Sequence, residues 1–299
     1  MTAVKLHEIT TPGLVENGWI TDWNAPGVVG YTKQFEDVLS GVNDLIYATE
    51  VVGSQESLNF PPVISREVID VAEYSDSFPH LLARIKTLDE KDAPAYLKGI
   101  ADGTPEDEML ETSDVVVLPA TCFGLYPLLA GGKAEAGSTY FVTGSCFRAE
   151  ASTEIGRFRS FRMHEFVYFD TVEKCTAWRD RRAGVAIDIF AELGMAAESE
   201  LATDPFFRPL QRVMGPSQIE QQLKLELVVP ITEDRKIAIA SANLHKDHIC
   251  DRFKIEGDDG ISSSTCAAFG MERIVLGLIA HHGLDFSAWP PSVVSALSN

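Results

Sequence analysis

The sequence has few of the features that place a chain in a membrane, in a secretory route or on nucleic acid. Its longest apolar runs are too short to span a bilayer, and its first residues lack the charged-then-apolar pattern of a signal peptide. Basic residues are scarce: 25 Lys and Arg stand against 44 Asp and Glu, for a net charge of -19. Because nucleic-acid binding depends on Lys and Arg at phosphates, we expect no nucleic-acid partner. Because the sequence shows no signal peptide and no membrane span, we expect a cytoplasmic protein. Net charge describes long-range steering and not one site, so it does not exclude a local basic pocket for a nucleotide.

Cysteine is also sparse. The five cysteines are odd in number and widely spaced, so the sequence predicts no disulfide framework, and no internal repeat is apparent. With 299 residues, 45% apolar and 23% charged, the chain can bury a large core without disulfides.

Several segments have the apolar periodicity of helices. Residues 33–53 repeat apolar side chains at steps of three and four, which marks one face of a helix. Residues 171–193 give the clearest helix, since Thr171 can cap its start and Gly194 can end it. We also expect a helix after the break at Asp204-Pro205, and an apolar helix over 270–280.

Other segments predict strands. Residues 139–150 and 163–170 flank a polar loop and form a predicted hairpin, and residues 224–231 and 236–243 form a predicted antiparallel pair. Residues 114–119 predict one more buried strand. We expect an irregular segment over 1–30, with an edge strand, and a charged surface excursion over 88–112. The organisation is that of an α+β fold, with an antiparallel sheet flanked by helices.

The first hairpin carries side chains suited to a nucleotide. Alternation puts Arg148 and Glu150 on one face of its first strand, and Arg162, His164 and Phe166 on one face of its second strand. Guanidinium groups suit phosphate oxygens, and an aromatic ring can stack on a base. The alternative is a surface sheet with weak cross-strand ion pairs.

Three segments together resemble the motifs of class II aminoacyl-tRNA synthetases. The hairpin resembles motif 2, which reads Phe-Arg-x-Glu, loop, Arg-x-x-x-Phe. Gly270-Met271-Glu272-Arg273 resembles the end of motif 3, Gly-x-Gly-x-x-Arg, although Ala268 stands at its first glycine. Phe60-Pro61-Pro62 resembles motif 1, which builds the dimer interface in that class. The resemblance implies a class II synthetase-like fold and a homodimer.

The resemblance also implies roles in ATP binding. Arg148 would hold the α-phosphate, Arg162 and Arg273 the outer phosphates, and Mg²⁺ would accompany ATP. Phe166 would stack on adenine, and Glu150 would contact the adenine amino group. Arg148 and Arg273 are the predicted catalytic residues. For Arg273 considered alone, the alternative is an arginine on a solvated helix face.

Within this class, the sequence of residues 161–166 is similar to the corresponding segment of seryl-tRNA synthetases. The Thr-x-Glu loop that reads serine in those enzymes is replaced by residues 120–123, and no heptads of a tRNA-gripping arm precede residue 60. Cys122, Glu165 and Cys266 instead match the zinc ligands of atypical archaeal seryl enzymes. Three protein ligands leave tetrahedral zinc one open position, here for the amino group of the substrate.

The alternative for these cysteines is a role as small buried apolar residues. That role is the one predicted for Cys146, Cys175 and Cys250. The histidines outside the motifs are predicted to be surface or core residues and not ligands; they are His245, His248, His281 and His282.

A truncated, zinc-type homologue of the seryl enzymes resembles the bacterial amino acid:carrier protein ligases, over roughly residues 55–290. Such enzymes activate glycine or alanine with ATP and load it onto the phosphopantetheine thiol of a small carrier protein. The resemblance implies a small amino acid as substrate, an acidic carrier as partner and no tRNA. Asp170 and Glu226 are candidate substrate-binding residues, because they lie on strands that could reach the pocket.

We expect one catalytic domain over residues 1–299, with a helical stretch at about 171–222 for the carrier. Arginines that would suit an acidic carrier there are Arg179, Arg181, Arg182, Arg208 and Arg212. Two alternatives stay open: a seryl-tRNA synthetase homologue that charges tRNA, and a non-catalytic paralogue that binds an amino acid or a regulator. The missing arm counts against the first, and the intact nucleotide motifs count against the second.

Overall fold

The computed structural model describes residues 6–50, 56–149, 154–206 and 208–298, and it describes the backbone alone for residues 208–211 and 213. Its helices are α1 (Thr11–Glu16), α2 (Lys33–Tyr47), α3 (Arg66–Val71), α4 (Tyr74–Ser77), α5 (Ala93–Ala101), α6 (Tyr126–Leu129), α7 (Val172–Glu192), α8 (Arg208–Glu220), α9 (His248–Phe253), α10 (Met271–His282) and α11 (Pro291–Ala296). None of the helices within these ranges has both the length and the apolar character to cross a membrane.

The strands are β1 (Ile20–Ala25), β2 (Val28–Tyr31), β3 (Ser57–Phe60), β4 (Val63–Ser65), β5 (Arg84–Thr87), β6 (Glu111–Val117), β7 (Ser138–Phe147), β8 (Ser160–Asp170), β9 (Glu198–Leu201), β10 (Lys224–Thr232), β11 (Arg235–Lys246) and β12 (Ser263–Gly270). Seven of them form one sheet in the order β3-β7-β8-β12-β11-β10-β9. Strand β3 runs parallel to β7, and all other neighbours in this sheet are antiparallel. The predicted α+β class with an antiparallel sheet is confirmed.

The two predicted antiparallel pairs are both present. Strands β7 and β8 pair from Ser138 opposite Phe169 to Phe147 opposite Ser160. The backbone N–H of Arg148 donates to Arg159 O at 2.9 Å, which extends the hairpin one residue beyond the strands. Strands β10 and β11 form the second pair.

The two faces of the sheet differ. Phe166 and Phe269 point into the main hydrophobic core, to which α2, α7 and α10 contribute. Side chains alternate along a strand, so Met163 and Ala268 point to the opposite face. Both of these residues line a pocket. Further along that face, a second apolar cluster packs Cys122 against the sheet. The candidate site therefore lies on the face that is turned away from the main core.

Helix α7 begins and ends where the sequence predicts. Thr171 Oγ1 accepts the Lys174 N–H at 3.5 Å, and Gly194 after the helix has a φ of 73°, which glycine adopts without strain. The helix does not present all its arginines to solvent, since Arg179 and Arg182 are buried. Arg182 donates to Thr49 O and Thr49 Oγ1 at 3.1 and 2.9 Å. This corrects the expectation that both arginines belong to an exposed cationic surface.

Other segments are more ordered than their patterns predict, and one helix is shorter. The 88–112 segment contains α5 and the first residues of β6, and the described part of 1–30 contains α1, β1 and part of β2. Distant contacts hold the N-terminal part: Trp19 stacks on Trp289 at 5.6 Å and donates to Leu284 O at 2.8 Å. Helix α2, predicted over 33–53, ends at Tyr47, and residues 51–55 lie outside the described part.

Candidate active site

An open pocket lies over β8, β12, β11 and β10, between the β7–β8 loop and the start of α10. Its charged lining residues are Arg148, Arg157, Lys224, Glu226, Glu272 and Arg273. Two aromatic rings, those of Phe158 and Phe161, also line it. Cations beside an aromatic ring in a concave site suit a nucleotide, which is anionic at one end and flat at the other.

Arg148 and Phe161 form the inner wall of this pocket. Cys146 pairs with Phe161 across the hairpin, and the Arg148 guanidinium lies over the Phe161 ring, 5.3 Å from its centroid. Arg148 Nε is buried and has no hydrogen-bond partner in the described part of the chain. Because a buried donor without a partner is unfavourable, this arginine is suited to an anionic ligand.

Arg273 lies in the first turn of α10 and ties together the parts of the pocket. Its Nε donates to Gly156 O at 2.8 Å, and its Nη1 donates to Ala238 O at 3.0 Å. The contact with Gly156 links α10 to the β7–β8 loop, and the contact with Ala238 links α10 to β11. The guanidinium is therefore held at the point where loop, helix and strand meet.

Phe166 does not reach the pocket. Its side chain is completely buried in the main core, with the Arg182 guanidinium 4.6 Å from its ring centroid and the Phe141 ring 4.8 Å away. As alternation predicts, one face of β8 carries Arg162, His164 and Phe166. That face points towards the main core and not into the pocket. This corrects the assignment of Phe166 to adenine, because a completely buried ring cannot stack on a ligand in the pocket.

Arg162 also lies outside the pocket lining. Its Nε pairs with Glu272 at 2.7 Å, its Nη1 pairs with Glu36 at 2.5 Å, and its guanidinium lies 5.0 Å from the centroid of the Tyr31 ring. The Arg162 backbone N–H also donates to Glu272, at 2.8 Å. Arg162 thus joins α2, β8 and α10, and this corrects its assignment to the outer phosphates.

Arg157 and Phe161 replace these two residues in the pocket. Arg157 lies in the β7–β8 loop, with its Nε 2.5 Å from Glu154. Residues 157–161 read Arg-Phe-Arg-Ser-Phe, so the Arg-x-x-x-Phe spacing of motif 2 occurs twice, five residues apart. The earlier copy is the one that lines the pocket, and the repeat in the sequence is the signal that could have identified it.

The remaining predicted nucleotide and substrate residues are placed as follows. Glu150 lies outside the described residues. Glu226 lines the pocket. Asp170 is the last residue of β8, and its carboxylate accepts hydrogen bonds from Tyr168 Oη, the Thr171 N–H and Lys174 Nζ at 2.9, 2.8 and 3.2 Å. Asp170 is not among the residues that line the pocket.

Cys122, Glu165 and Cys266 meet on the same face of the sheet as the pocket, and all three are buried. Cys122 lies in a short 3-10 turn, Thr121–Gly124. Glu165 Oε1 accepts the Cys122 N–H at 3.0 Å and the Thr121 hydroxyl at 2.5 Å. The thiols of Cys122 and Cys266 are in hydrogen-bond contact. Cys266 lies two residues before Ala268 on β12, so this cluster adjoins the pocket.

Burial and mutual contact shift the pKa values of the cluster. The hydrogen bond to Cys266, followed by burial, raises the pKa of the Cys122 thiol. That bond also lowers the pKa of Cys266, with help from His245. Burial, reinforced by Cys266, raises the pKa of Glu165 to about 7. Cys122 and Glu165 therefore hold negative charge poorly, whereas Cys266, beside His245, can carry it.

Two thiols and a carboxylate at one buried place are a donor set that suits zinc. Among the described residues, however, no three His, Cys, Asp or Glu side chains are grouped as the ligands of a metal ion. Glu165 Oε1 accepts hydrogen bonds from Thr121 and from the Cys122 backbone. The residue types and their burial fit zinc.

Besides Arg157 and Phe161, two further residues of the site were missed by sequence reasoning. His245 has Nε2 3.6 Å from Cys266 Sγ, and its Nδ1 is 3.0 Å from Tyr126 Oη. Lys224 places Nζ 3.0 Å from both Asp204 Oδ1 and Glu226 Oε1. Apart from Glu226, which lies two residues from Lys224 on β10, these partners are distant along the chain, so sequence spacing gave little signal for either residue.

Comparison with known proteins identifies relatives of the chain. No protein-family model matches it. The chain is 35% identical over 278 residues to amino acid–[acyl-carrier-protein] ligase 2 of Bradyrhizobium diazoefficiens, a match that covers 91% of this chain and 83% of the relative. It is 34% identical over 273 residues to ligase 1 of the same organism, with 89% and 83% covered. The type-2 serine–tRNA ligase of Methanococcus aeolicus is 23% identical over 297 residues, 91% of this chain and 56% of the relative.

Solved structures share the fold. The crystal structure of A. aeolicus tRNASec in complex with M. kandleri SerRS matches with a TM-score of 0.81 at 18% identity, over 99% of this chain and 61% of that chain. Seryl-tRNA synthetase from Pyrococcus horikoshii, complexed with ATP, matches with a TM-score of 0.65 at 12% identity, over 92% of this chain and 60% of that chain. These matches confirm the predicted class II synthetase-like fold. The sequence matches to the two carrier-protein ligases show the family, and the chain belongs to the amino acid–acyl-carrier-protein ligases, as an ATP-dependent ligase.

Proposed function

We propose that the protein activates a small amino acid, glycine or alanine, as its aminoacyl-adenylate and transfers it to the phosphopantetheine thiol of an acidic carrier protein. One observation supports this most strongly. A pocket with Arg148, Arg157, Arg273 and an aromatic ring adjoins a buried cluster of two thiols and a carboxylate on the same face of one sheet. The first part suits ATP, and the second suits a site for the amino group.

For ATP, we propose that adenine stacks on Phe161 and that Arg148 binds the α-phosphate. Arg157 and Arg273 lie at the loop side of the pocket, where they suit the outer phosphates with Mg²⁺. We also propose that Glu150 contacts the adenine amino group.

For the amino acid, we propose that Cys122, Glu165 and Cys266 hold zinc. A zinc ion held there would supply an open coordination position for the substrate amine. Residues two apart on a strand are separated by about 6.6 Å. Cys266 in the cluster and Ala268 in the pocket lining are therefore close enough for one small amino acid to reach from the zinc ligands to the nucleotide. Glu226 is the proposed acidic contact of the substrate, since it lines the pocket, and Asp170 is the weaker candidate.

The reaction has two steps. First, a carboxylate oxygen of the amino acid attacks the α-phosphorus, the bond to pyrophosphate breaks, and the aminoacyl-adenylate forms. Arg148, Arg157 and Arg273 would orient ATP and spread the charge that develops on the phosphate oxygens. Second, the sulfur of the carrier thiolate attacks the carbonyl carbon of the adenylate, a thioester forms, and AMP leaves.

For the partners, we propose a single catalytic domain that forms a homodimer through the Phe60-Pro61-Pro62 region. The carrier would dock on the 171–222 stretch, where Arg181 and Arg212 are exposed. Similarity to the two acyl-carrier-protein ligases supports a carrier over tRNA as the acceptor. We place the protein in the cytoplasm in this proposal.

Amino-acid-dependent ATP–pyrophosphate exchange over a panel of small amino acids tests the proposal. We expect exchange with glycine or alanine, and we expect Cys122→Ser to lose both exchange and bound zinc. Cys175→Ser is the matched control, because Cys175 is a buried thiol whose bond to Asp170 O lies away from the pocket. Exchange by neither amino acid would reject the activation step, and full exchange by Cys122→Ser would reject the zinc role. A parallel assay with bulk tRNA tests for a seryl-tRNA synthetase.

A further inference from the structure

A half-buried network of charged and amide groups borders the pocket on the β10 side. Lys224, the first residue of β10, lines the pocket with only 12% of its side chain exposed. Its Nζ lies 3.0 Å from Asp204 Oδ1 and 3.0 Å from Glu226 Oε1. A lysine is flexible, so its ammonium stays in one place only where its partners fix it.

Asp204 is itself fixed by helix α8. Gln218 Nε2 donates to Asp204 Oδ2 at 2.9 Å, and the Asp204 backbone N–H donates to Gln218 Oε1 at 2.8 Å. The Gln218 amide thus holds the aspartate at two points, through both its donor and its acceptor. Each carboxylate oxygen of Asp204 has its own partner, Lys224 on one side and Gln218 on the other.

The contacts therefore run without a break from α8 to the pocket: Gln218, Asp204, Lys224. Burial would by itself raise the pKa of Asp204, but Lys224 and Gln218 lower it further than burial raises it, so the carboxyl stays ionised. Because each of these groups has a hydrogen-bond or ion-pair partner, the network favours one arrangement of its members. Removal of the Gln218 amide would free Asp204 to turn, and the ammonium of Lys224 would move with it.

We propose that Asp204 and Gln218 are positioning residues that fix the Lys224 ammonium in the pocket, where it contacts an anionic oxygen of a substrate. The oxygen belongs either to the amino acid carboxylate or to a phosphate of ATP. This inference rests on the proposed function. It adds that α8, part of the proposed carrier-docking stretch, is mechanically linked to the substrate pocket.

Variants at Gln218 test the link without altering a pocket residue. Gln218→Leu removes both hydrogen bonds, and Gln218→Glu keeps the size but sets a second carboxylate against Asp204. Gln221→Leu is the matched control, because Gln221 is an exposed glutamine just beyond α8 whose partners are Ser217 and Lys246. Urea unfolding of each variant identifies any that fails to fold.

Two readouts separate positioning from a structural role. In pyrophosphate exchange, we expect both Gln218 variants to raise one KM about tenfold, the size expected for losing a hydrogen bond to a charged group, and the affected substrate identifies the oxygen that Lys224 contacts. In competitive acetylation with acetic anhydride, read by mass spectrometry, we expect Lys224 to react severalfold faster in both variants. Gln221→Leu should match the wild type in both.

Folded Gln218 variants with wild-type KM values and wild-type Lys224 acetylation would overturn the proposal. Faster acetylation with both KM values unchanged would also overturn it, because the lysine would then be held by Asp204 without contacting a substrate. The acetylation readout needs no turnover. If the wild type shows no exchange with any amino acid, the proposed function fails while the acetylation result still reports whether Gln218 positions Lys224.

Discussion

The β7–β8 hairpin carries two phenylalanines whose truncation should have opposite consequences. Phe161 lines the pocket beside Arg148, and Phe166 is completely buried on the other face of the same strand. We predict that Phe161→Ala weakens ATP binding with little loss of stability. We predict that Phe166→Ala lowers stability with little direct effect on ATP. Each variant is the control for the other, since both remove the same atoms from one strand.

The magnitudes follow from the surroundings. Truncation of a buried Phe to Ala lowers the free energy of unfolding by about 3–5 kcal/mol, and Phe166 would in addition leave Arg182 without the ring that now lies 4.6 Å from it. Phe161 loses its contact with Arg148, worth about 0.5–1 kcal/mol at an exposed site. Stacking of a base on an aromatic ring contributes about 1–3 kcal/mol, so the KM for ATP should rise about 5- to 150-fold in Phe161→Ala.

Urea unfolding followed by circular dichroism measures the first quantity, and pyrophosphate exchange at varied ATP measures the second. A Phe161→Ala enzyme with a wild-type KM for ATP would refute the placement of adenine on this ring. A Phe166→Ala protein that unfolds at the wild-type urea concentration but binds ATP poorly would restore the assignment made from the motif alone.

Three further predictions concern the charged groups. Arg162→Met should lower the free energy of unfolding by about 3–5 kcal/mol, because buried Glu272 loses its partner, whereas Arg157→Met should raise the KM for ATP and leave urea unfolding unchanged. Removal of zinc with a chelator should abolish exchange, and added zinc should restore it; exchange that survives at zinc levels undetectable by atomic absorption would contradict the metal site. Burial raises the pKa of Asp204, but Lys224 and Gln218 lower it more, to a net value below 3.8, so its contribution to stability is complete above pH 3.8 and is lost as pH falls through the folded-state pKa. Urea unfolding at pH 6 and pH 3 should therefore show a smaller acid loss for Asp204→Asn than for the wild type, and equal losses would contradict this contribution.

Local patterns predicted the elements that the site depends on. The β7–β8 hairpin and α7 were predictable because alternation, a capping threonine and a terminating glycine are all local signals. A strand at β6 and an edge strand within 1–30 were predicted, but the pairing of β6 with β4 and β5 and the pairing of β1 with β2 were not. Whether such segments fold into regular structure depends on contacts with residues far along the chain, such as the contact of Trp19 with Trp289. Composition does not reveal these contacts.

In the site as well, residues marked by local sequence patterns could be predicted, and residues that depend on distant contacts could not. Arg148 and Arg273 could be predicted because each lies within a recognisable motif. Both line the pocket. The choice between Phe161 and Phe166 could not be made, because alternation shows which residues share a face but not which face is the core. The roles of Lys224 and His245 depend on Asp204 and Cys266, which lie 20 and 21 residues away along the chain.

Intact-mass analysis of a carrier protein tests the central claim most directly. A phosphopantetheine-bearing carrier would be incubated with the enzyme, ATP, Mg²⁺ and either glycine or alanine, and then weighed by mass spectrometry. We predict that the carrier gains the mass of one aminoacyl group, that hydroxylamine removes it as expected for a thioester, and that omission of ATP prevents it. An unchanged carrier mass with both amino acids, under conditions in which bulk tRNA becomes aminoacylated, would contradict the account.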